Sequence, residues 1–340
     1  MAKDDTDSKG NGKDKDYWIG FDLGGTKMLS VVFDSDFEQV GKCRKKTKGH
    51  EGMEAGLKRI NNVIEESIED AGIEPKQIKG LGIGCPGPLD LKKGIIREAP
   101  NLGWEQVPIR KSIENEFGFH AEIANDVDAG IFGEYRFGAG QKARCVVGIF
   151  PGTGIGGGCV YEGRLFRGRN TSCMEIGHIP LLPGGPVDGA GNPGSLESVA
   201  SRLAIAGQVA QAAYRGAAPS VMERAGTELS NIRSGAIAEA IESGDKAVKR
   251  IVQEACYYMA MGVVTTVHLM APDVIVFGGG LVEAMPDFLL KEIEQVARPR
   301  ILESLRDEFK LVSAKLGDDA GVMGAAALAL QAVQADKDAN

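Results

Sequence analysis

Asp22 stands at the end of an apolar run, Ile19-Gly20-Phe21, and directly before Leu23-Gly24-Gly25-Thr26-Lys27. A glycine-rich turn can take positive φ and expose its backbone N–H groups to an anion. A carboxylate beside such a turn repels a bare phosphate, so the pairing makes sense with a divalent cation between the two. Apolar residues resume at Met28-Leu29-Ser30-Val31-Val32-Phe33, and Asp34 closes a second strand. The stretch reads as strand, turn and strand built for a metal-bound polyphosphate, or more plainly as a β-hairpin with a Gly-Gly turn. It matches neither Gly-x-x-x-x-Gly-Lys-Ser/Thr nor a Gly-x-Gly-x-x-Gly that opens a helix.

A second copy lies downstream, at Val147-Gly148-Ile149-Phe150-Pro151-Gly152-Thr153-Gly154. Gly148 falls over Gly20, Gly152 over Gly24, and Cys159-Val160-Tyr161-Glu162 over Val31-Val32-Phe33-Asp34. A constant offset over two strands and a turn points to internal duplication. Phe150 replaces Asp22, so only the first copy carries a metal-binding acid, while Thr153 and Gly154 keep a hydroxyl and N–H groups. Two facing phosphate turns with one acid between them describe a nucleotide cleft between two related domains.

Asn125-Asp126 ends an apolar strand and begins a helical pattern, presenting a carboxylate at a strand tip. Asp126 reads as a helix N-cap or as the acceptor of a nucleophile's proton in phosphoryl transfer, with Asn125 orienting a hydroxyl. Glu175-Ile176-Gly177-His178 places an acid and an imidazole three apart on a turn, suited to sugar hydroxyls or simply structural. Glu197, after Gly194-Ser195-Leu196, is a helix-start residue or a further ligand. Gly278-Gly279-Gly280 after a strand admits a base or ribose to the backbone, or merely opens a helix. His120 and His268 sit in apolar settings and read as structural, and His50 receives no role.

Around these residues the chain alternates helices and strands. Met53, Leu57, Ile60, Ile64 and Ile68 recur at helical spacing from Gly52 to Ala71, and Gly72 stops the helix. Ile78–Cys85 and His120–Ala124 read as strands, Ile109–Phe117 and Asp128–Phe137 as helices. Residues 184–194 form a Gly/Pro-rich loop, followed by helical sequence to Met270. Asp273–Phe277 and Leu311–Ala314 are strands, and Asp319–Val333 is a small-residue helix. Hairpins at two starts, with helices between later strands, indicate mixed sheets in an α/β protein.

The 340 residues are enough for two domains. Hydrophobic content of 43% and charged content of 25% are ordinary for globular proteins. A net charge of −8 argues against nucleic acid or an anionic membrane as partner. No run approaches the roughly 18 apolar residues of a membrane span. Six scattered cysteines and the lack of a secretory h-region point to reduced thiols in a cytoplasmic protein. Residues 1–16 are polar and expected to be a disordered tail, leaving no room for a helix-turn-helix before the first strand.

In order, Asp22-Leu23-Gly24-Gly25-Thr26-Lys27, Gly84-Cys85-Pro86-Gly87-Pro88, Asn125-Asp126, Gly152-Thr153-Gly154-Ile155-Gly156-Gly157-Gly158, Glu175-Ile176-Gly177-His178 and Gly278-Gly279-Gly280 resemble the ROK family of repressors, open reading frames and sugar kinases. The resemblance spans about residues 17–335 and is closest to the bacterial glucokinase type. It implies a two-domain actin-like, ribonuclease-H-like ATPase fold with duplicated mixed sheets and an interdomain cleft. The small domain would be 17–125 with about 318–335, the large domain 126–317, and 336–340 a tail. The implied reaction is transfer from ATP, with Mg²⁺, to the 6-hydroxyl of a hexose. Asp126 would be the general base, and Asn101, Asn125, Glu175, His178 and Glu197 would hold the other hydroxyls. Asp22 would help place Mg²⁺ through water or phosphate. The turn Gly24-Gly25-Thr26-Lys27 with Thr153 and Gly154 would hold phosphates, and Gly278 and Gly279 would lie near the adenosine. A homodimer or homotetramer is implied.

One departure is plain. Many relatives bind a structural zinc through the His of Gly-His and three downstream cysteines, and those cysteine positions here are Asp188, Ala190 and Ser195. Zinc favours thiolate and imidazole in closed tetrahedral sites, so no zinc is expected. The retained Gly191, Gly194 and Glu197 suggest that the loop keeps its path, and prolines 180, 183, 186 and 193 stiffen it. Other expectations for the chain are a kinase for mannose, fructose or an N-acetylated amino sugar, use of polyphosphate as donor, and a non-catalytic sugar-sensing regulator.

Overall fold

The computed structural model describes residues 15–169 and 171–339. The expected tail therefore lies, up to residue 14, outside the described residues. The first half runs β1 (Tyr17–Leu23), β2 (Lys27–Phe33), β3 (Gln39–Lys46), α1 (Met53–Ala71), β4 (Ile78–Cys85), β5 (Leu89–Asp90), β6 (Ile95–Ala99), β7 (Trp104–Val107), α2 (Ile109–Phe117), β8 (His120–Asn125) and α3 (Asp126–Phe137). The second half opens with β9 (Cys145–Pro151), β10 (Ile155–Tyr161) and β11 (Arg164–Leu165). Helices α4 (Leu196–Ala200), α5 (Arg202–Tyr214), α6 (Pro219–Arg224), α7 (Ser234–Glu242) and α8 (Lys246–Met270) follow. The chain ends through β12 (Val274–Phe277), α9 (Gly280–Ala284), α10 (Pro286–Ala297), β13 (Lys310–Ser313) and α11 (Ala320–Ala339).

The two large sheets repeat one plan. Their strand orders are β3-β2-β1-β4-β8 and β11-β10-β9-β12-β13, and β5-β6-β7 form a smaller sheet. In each large sheet the opening hairpin is antiparallel and the two later strands join in parallel. The expected duplication is thus visible in the topology, with one correction. Gly20 faces Val31, but Gly148 faces Gly158. Gly158, not Cys159, is the counterpart of Val31, because the second turn is one residue shorter than the first. A one-residue shift exchanges the two faces of a strand, so it decides which side chains face the core.

Burial follows the apolar pattern. Ile60, Val63, Ile64 and Ile68 form the inward stripe of α1, which ends at Gly72 with φ 65°. One core joins α1 and α2 to the first sheet. A second joins the second sheet to α4, α5, α7, α8 and α10. A third, including Trp18, Val31, Ile131, Phe132, Val146, Val276, Val322 and Ala326, lies between the sheets around α3 and α11.

Glycines make that central layer possible. A Cβ at Gly20 or Gly82 would stand 1.8 Å from the carbonyl oxygen of Val322 or Ala325. A Cβ at Gly324 would likewise meet Ala129 O at 1.8 Å. The last helix therefore presses backbone against backbone on β1, β4 and α3. Glu134 of α3, fully buried, accepts backbone N–H groups from Ala139, Lys315 and Leu316 and so fixes the chain just before α11. Helix α11 extends beyond the expected Val333 and absorbs 336–339, expected to be tail. No Gly or Pro follows Gly324 to end it.

Candidate active site

Helix α3 starts at Asp126, two residues earlier than the periodicity suggests. Asn125 is its N-cap, accepting from Val127 N at 2.9 Å and Asp128 N at 3.4 Å. The cap reading of Asp126 is thereby corrected: the acid occupies the first helical position, and the shorter-range cap belongs to its neighbour. Asp126 accepts from Val127 N at 2.9 Å and keeps part of its surface open to solvent. Crowding by surrounding protein raises its pKa. Hydrogen bonds from Val127, its own N–H and Asn125 oppose the rise, and Glu175 adds to it.

Asp22 is its neighbour across the sheet. Asp22 pairs with Gly84, and a Cβ on Gly84 would lie 3.5 Å from Asp126 Cα. Burial first, then the charges of Asp126 and Asp318, push the Asp22 carboxyl from 3.8 up to about 6, against the pull of Arg44. Two facing acids without a fixed cation between them suit a divalent ion carried in with phosphate. An acid with a raised folded-state pKa favours the fold below its unfolded value and loses that contribution as pH climbs toward the folded one. The expected result is a fall in unfolding free energy between about pH 4 and 6 that Asp22→Asn reduces. Denaturant titrations of both proteins across that window measure the difference, and parallel curves would exclude it.

The turns do not use positive φ, which corrects the expectation, and Gly24 and Gly154 serve close approach instead. None of Gly24, Gly25, Gly152 and Gly154 has φ in the left-handed region. A Cβ at Gly24 would meet Lys27 O at 2.7 Å, and one at Gly154 would meet Glu197 Oε2 at 2.2 Å. Gly24 N donates to Lys27 O, and buried Thr47 braces the turn through Gly24 O at 2.6 Å. Gly25, Thr26 and Lys27 are exposed. Gly25 faces Asn101, whose Cβ would be 3.4 Å from a Cβ added there.

Two depressions lie at the junction of the halves and a third lies within the second half. One, of 570 Å³, is lined by Asn101, Thr153, Gly154, Asp188 and Glu197. Another, of 480 Å³, is lined by Gly87, Asn125, Gly156, Glu175 and His178. The third, of 540 Å³, is lined by Arg202, Arg233, Ser234 and Gly280. The first two draw on both halves of the chain. Gly279, with φ 84°, sits 3.3 Å by its would-be Cβ from Pro151 O beside the second turn. Gly278 is buried against the Phe150 ring, and the two glycines after it become progressively more open, Gly279 partly and Gly280 fully.

The run Gly156-Gly157-Gly158 seats the acid-and-imidazole turn. Added Cβ atoms at Gly156 and Gly158 would strike Val127 and Ile131 of α3, and one at Gly157 would lie 2.3 Å from Met174 O. Met174, at φ 64°, holds the strained entry to Glu175. His178 Nδ1 lies 2.9 Å from Asp188 Oδ2. Glu197 Oε2 accepts from Ile155 N at 2.8 Å and Oε1 from Gly189 N at 3.4 Å, tying the second turn to the downstream loop.

Two residues escaped the sequence reading. Arg202 donates through Nη2 to Thr153 Oγ1 at 2.8 Å, and its N–H goes to Gly152 O. A cation at the start of a helix opposes the dipole, and that mismatch was its only signal. Asp128, 1% exposed, accepts from Ser172 Oγ at 2.6 Å, and burial pushes its carboxyl up to about 6. It sits one turn side from Asn125 and nothing in its sequence context distinguishes it.

The ROK family pattern matches residues 18–332. The chain belongs to the ROK family. A glucokinase from Thermotoga maritima is 30% identical over 91% of this chain and 96% of its own. A xylose repressor from Caldicellulosiruptor bescii is 27% identical over 94% of this chain and 79% of its own. A crystal structure of a ROK glucokinase from Streptomyces griseus in complex with glucose and AMPPNP is similar at TM-score 0.79 and 30% identity, covering 93% of this chain and 99% of that one. This ROK protein has the two-domain actin-like, ribonuclease-H-like fold. Among its described residues no helix is long and apolar enough to cross a membrane.

Proposed function

We propose that this ROK protein is an ATP-dependent hexose kinase acting on the 6-hydroxyl, with glucose as the first substrate to test. The observation that carries the reading is the position of Asp126, beside Asp22 and flanked in the chain by Asn125 and Val127, which line the cavity of the imidazole turn. The domains are 17–125 with about 318–335, and 126–317. Asp126 takes the proton of the sugar hydroxyl while that oxygen bonds to the γ-phosphorus and the bond to the β–γ bridging oxygen breaks, releasing ADP. Asp22 would help hold Mg²⁺, which when bound would supply charge neutralisation on the phosphates. Asn101, Asn125, Glu175, His178 and Glu197 hold the remaining hydroxyls. Asn125 does so through its amide N–H groups, since its oxygen is engaged by the helix cap. The turn from Gly24 to Lys27, with Thr153 and Gly154, receives the phosphates, and Gly278 and Gly279 border the adenosine.

The S. griseus complex with glucose and AMPPNP and the T. maritima glucokinase support this reading. The similarity to a xylose repressor keeps sugar sensing as the contrary outcome. A coupled ADP-release assay over glucose, mannose, fructose and N-acetylated hexosamines, with ATP and with polyphosphate, is expected to show hexose-dependent turnover with ATP. Sugar binding by calorimetry with no turnover on any hexose would replace the kinase by a sensor.

A further inference from the structure

The loop from Ile179 to Ser195 is closed by backbone hydrogen bonds from Leu181 and Leu182 to Gly194 O and from Gly194 to Pro186 O. At its centre stands one carboxylate. Asp188 Oδ1 accepts from Ala190 N and Asn192 N, each at 2.9 Å. Oδ2 accepts from Ser195 Oγ at 2.7 Å and lies 2.9 Å from His178 Nδ1. The side chain is wholly covered, at 0% exposure. Ser195 also caps α4 by accepting from Ser198 N at 3.2 Å, so the carboxylate links the imidazole, the loop and the helix carrying Glu197.

These residues do not fit the zinc that the family resemblance implies. Ala190 offers no ligand atom, and the Glu197 carboxylate is taken by Ile155 N and Gly189 N. The 2.9 Å between His178 Nδ1 and Asp188 Oδ2 is a direct hydrogen bond, whereas two tetrahedral ligands on one zinc at ~2.0 Å stand about 3.3 Å apart. His178, Asp188 and Glu197 form a grouping of potential ligands among the described residues, but His178 Nδ1 and both oxygens of each acid are already engaged by one another, Ser195 or the backbone.

We propose that Asp188 is a positioning residue that takes over the work of a structural metal: its carboxylate staples the loop and holds the His178 imidazole with Nδ1–H toward Asp188. An ionised carboxylate can only accept, so the shared proton sits on Nδ1 and Nε2 is left as an acceptor. His178 lines the 480 Å³ cavity with Glu175 and Asn125, so the staple sets the donor and acceptor pattern offered to a polyol there. The sugar-facing part of this inference rests on the hexose-kinase reading.

The test compares the natural chain with Asp188→Asn and Asp188→Ala. Loss of the partner that orients a metal-bound imidazole costs about 10- to 100-fold in metal affinity or activity, and a loss of the same order is expected for an imidazole that orients a polyol. The hexose KM is expected to rise by about that factor while the ATP KM stays within about twofold. Chelator is expected to leave the Tm of the natural protein unchanged, and metal analysis to find no stoichiometric zinc. Histidine ¹⁵N spectra are expected to report His178 protonated on Nδ1 in the natural protein and redistributed in Asp188→Asn. The combined Asp188→Cys, Ala190→Cys, Ser195→Cys variant is expected to gain one zinc per chain. One zinc in the natural protein, an Nε2–H tautomer, or a natural-like hexose KM in Asp188→Asn would each overturn the inference. Should Asp188→Ala not fold, the Asn variant and the natural spectrum still decide. Should no hexose be phosphorylated, the kinase reading fails, while metal content, chelator response and the tautomer still judge the staple.

Discussion

Replacing Asp126 by asparagine is expected to lower kcat by about 10³-fold while the hexose KM changes by no more than a few-fold. Asparagine matches the acid in size and can still accept from Val127 N, so α3 and its Asn125 cap stay in place. What it cannot do is take a proton. A base acts in the transition state, so its loss falls on turnover rather than on binding. Coupled ADP release under saturating ATP measures both constants, and near-normal turnover would remove Asp126 from this role. The natural protein's pH profile is a companion check. Crowding holds the Asp126 pKa above the usual carboxylate value, so kcat/KM is expected to fall on the acid side at a pH above ~4 as the base becomes protonated.

Gly82→Val is expected to abolish the folded state or lower its Tm by ten degrees or more, on the order of 3 kcal/mol or beyond. A Cβ at this position would stand 1.8 Å from Ala325 O, and the obstacle is helix backbone rather than a side chain that can turn away. The obstructed contact holds α11 against β1 and β4, where Val322, Ala325, Ala326 and Ala329 are buried. Gly207→Ala is the matched control. It lies inside α5 with nothing within 4 Å of an added Cβ, so it is expected to add about 0.5–1 kcal/mol by restricting the unfolded chain. Calorimetric Tm and soluble yield compare the two, and equal stability of Gly82→Val and the natural chain would show that α11 yields.

Local signals served the sequence reading well where one residue type has one physical use. The stripe Ile60, Ile64, Ile68 with Gly72 marked α1 to its last residue, because periodic burial and a left-handed stop act within the segment itself. The two glycine turns and their hairpins were legible for the same reason. The start of α3 was not, since both Asn125 and Asp126 can cap, and only the backbone path shows which side chain bends back. The end of α11 was missed because continued helix over polar residues leaves no apolar period to read. The offset between the duplicated hairpins slipped by one, since turn length is set by pairing across the strands.

The amino-acid order alone determined the duplicated plan, the acid beside the first glycine turn and the presence of Asp188, Ala190 and Ser195 where the family resemblance implies cysteines. Each of these is carried by residue types at short spacing. Only the tertiary structure decided that Gly24 and Gly154 serve close approach, that Arg202 reaches Thr153, and that Asp188 gathers His178, Ser195 and two backbone amides. These contacts depend on the path of loops and the packing of one backbone on another, and chemical identity at a position does not specify either.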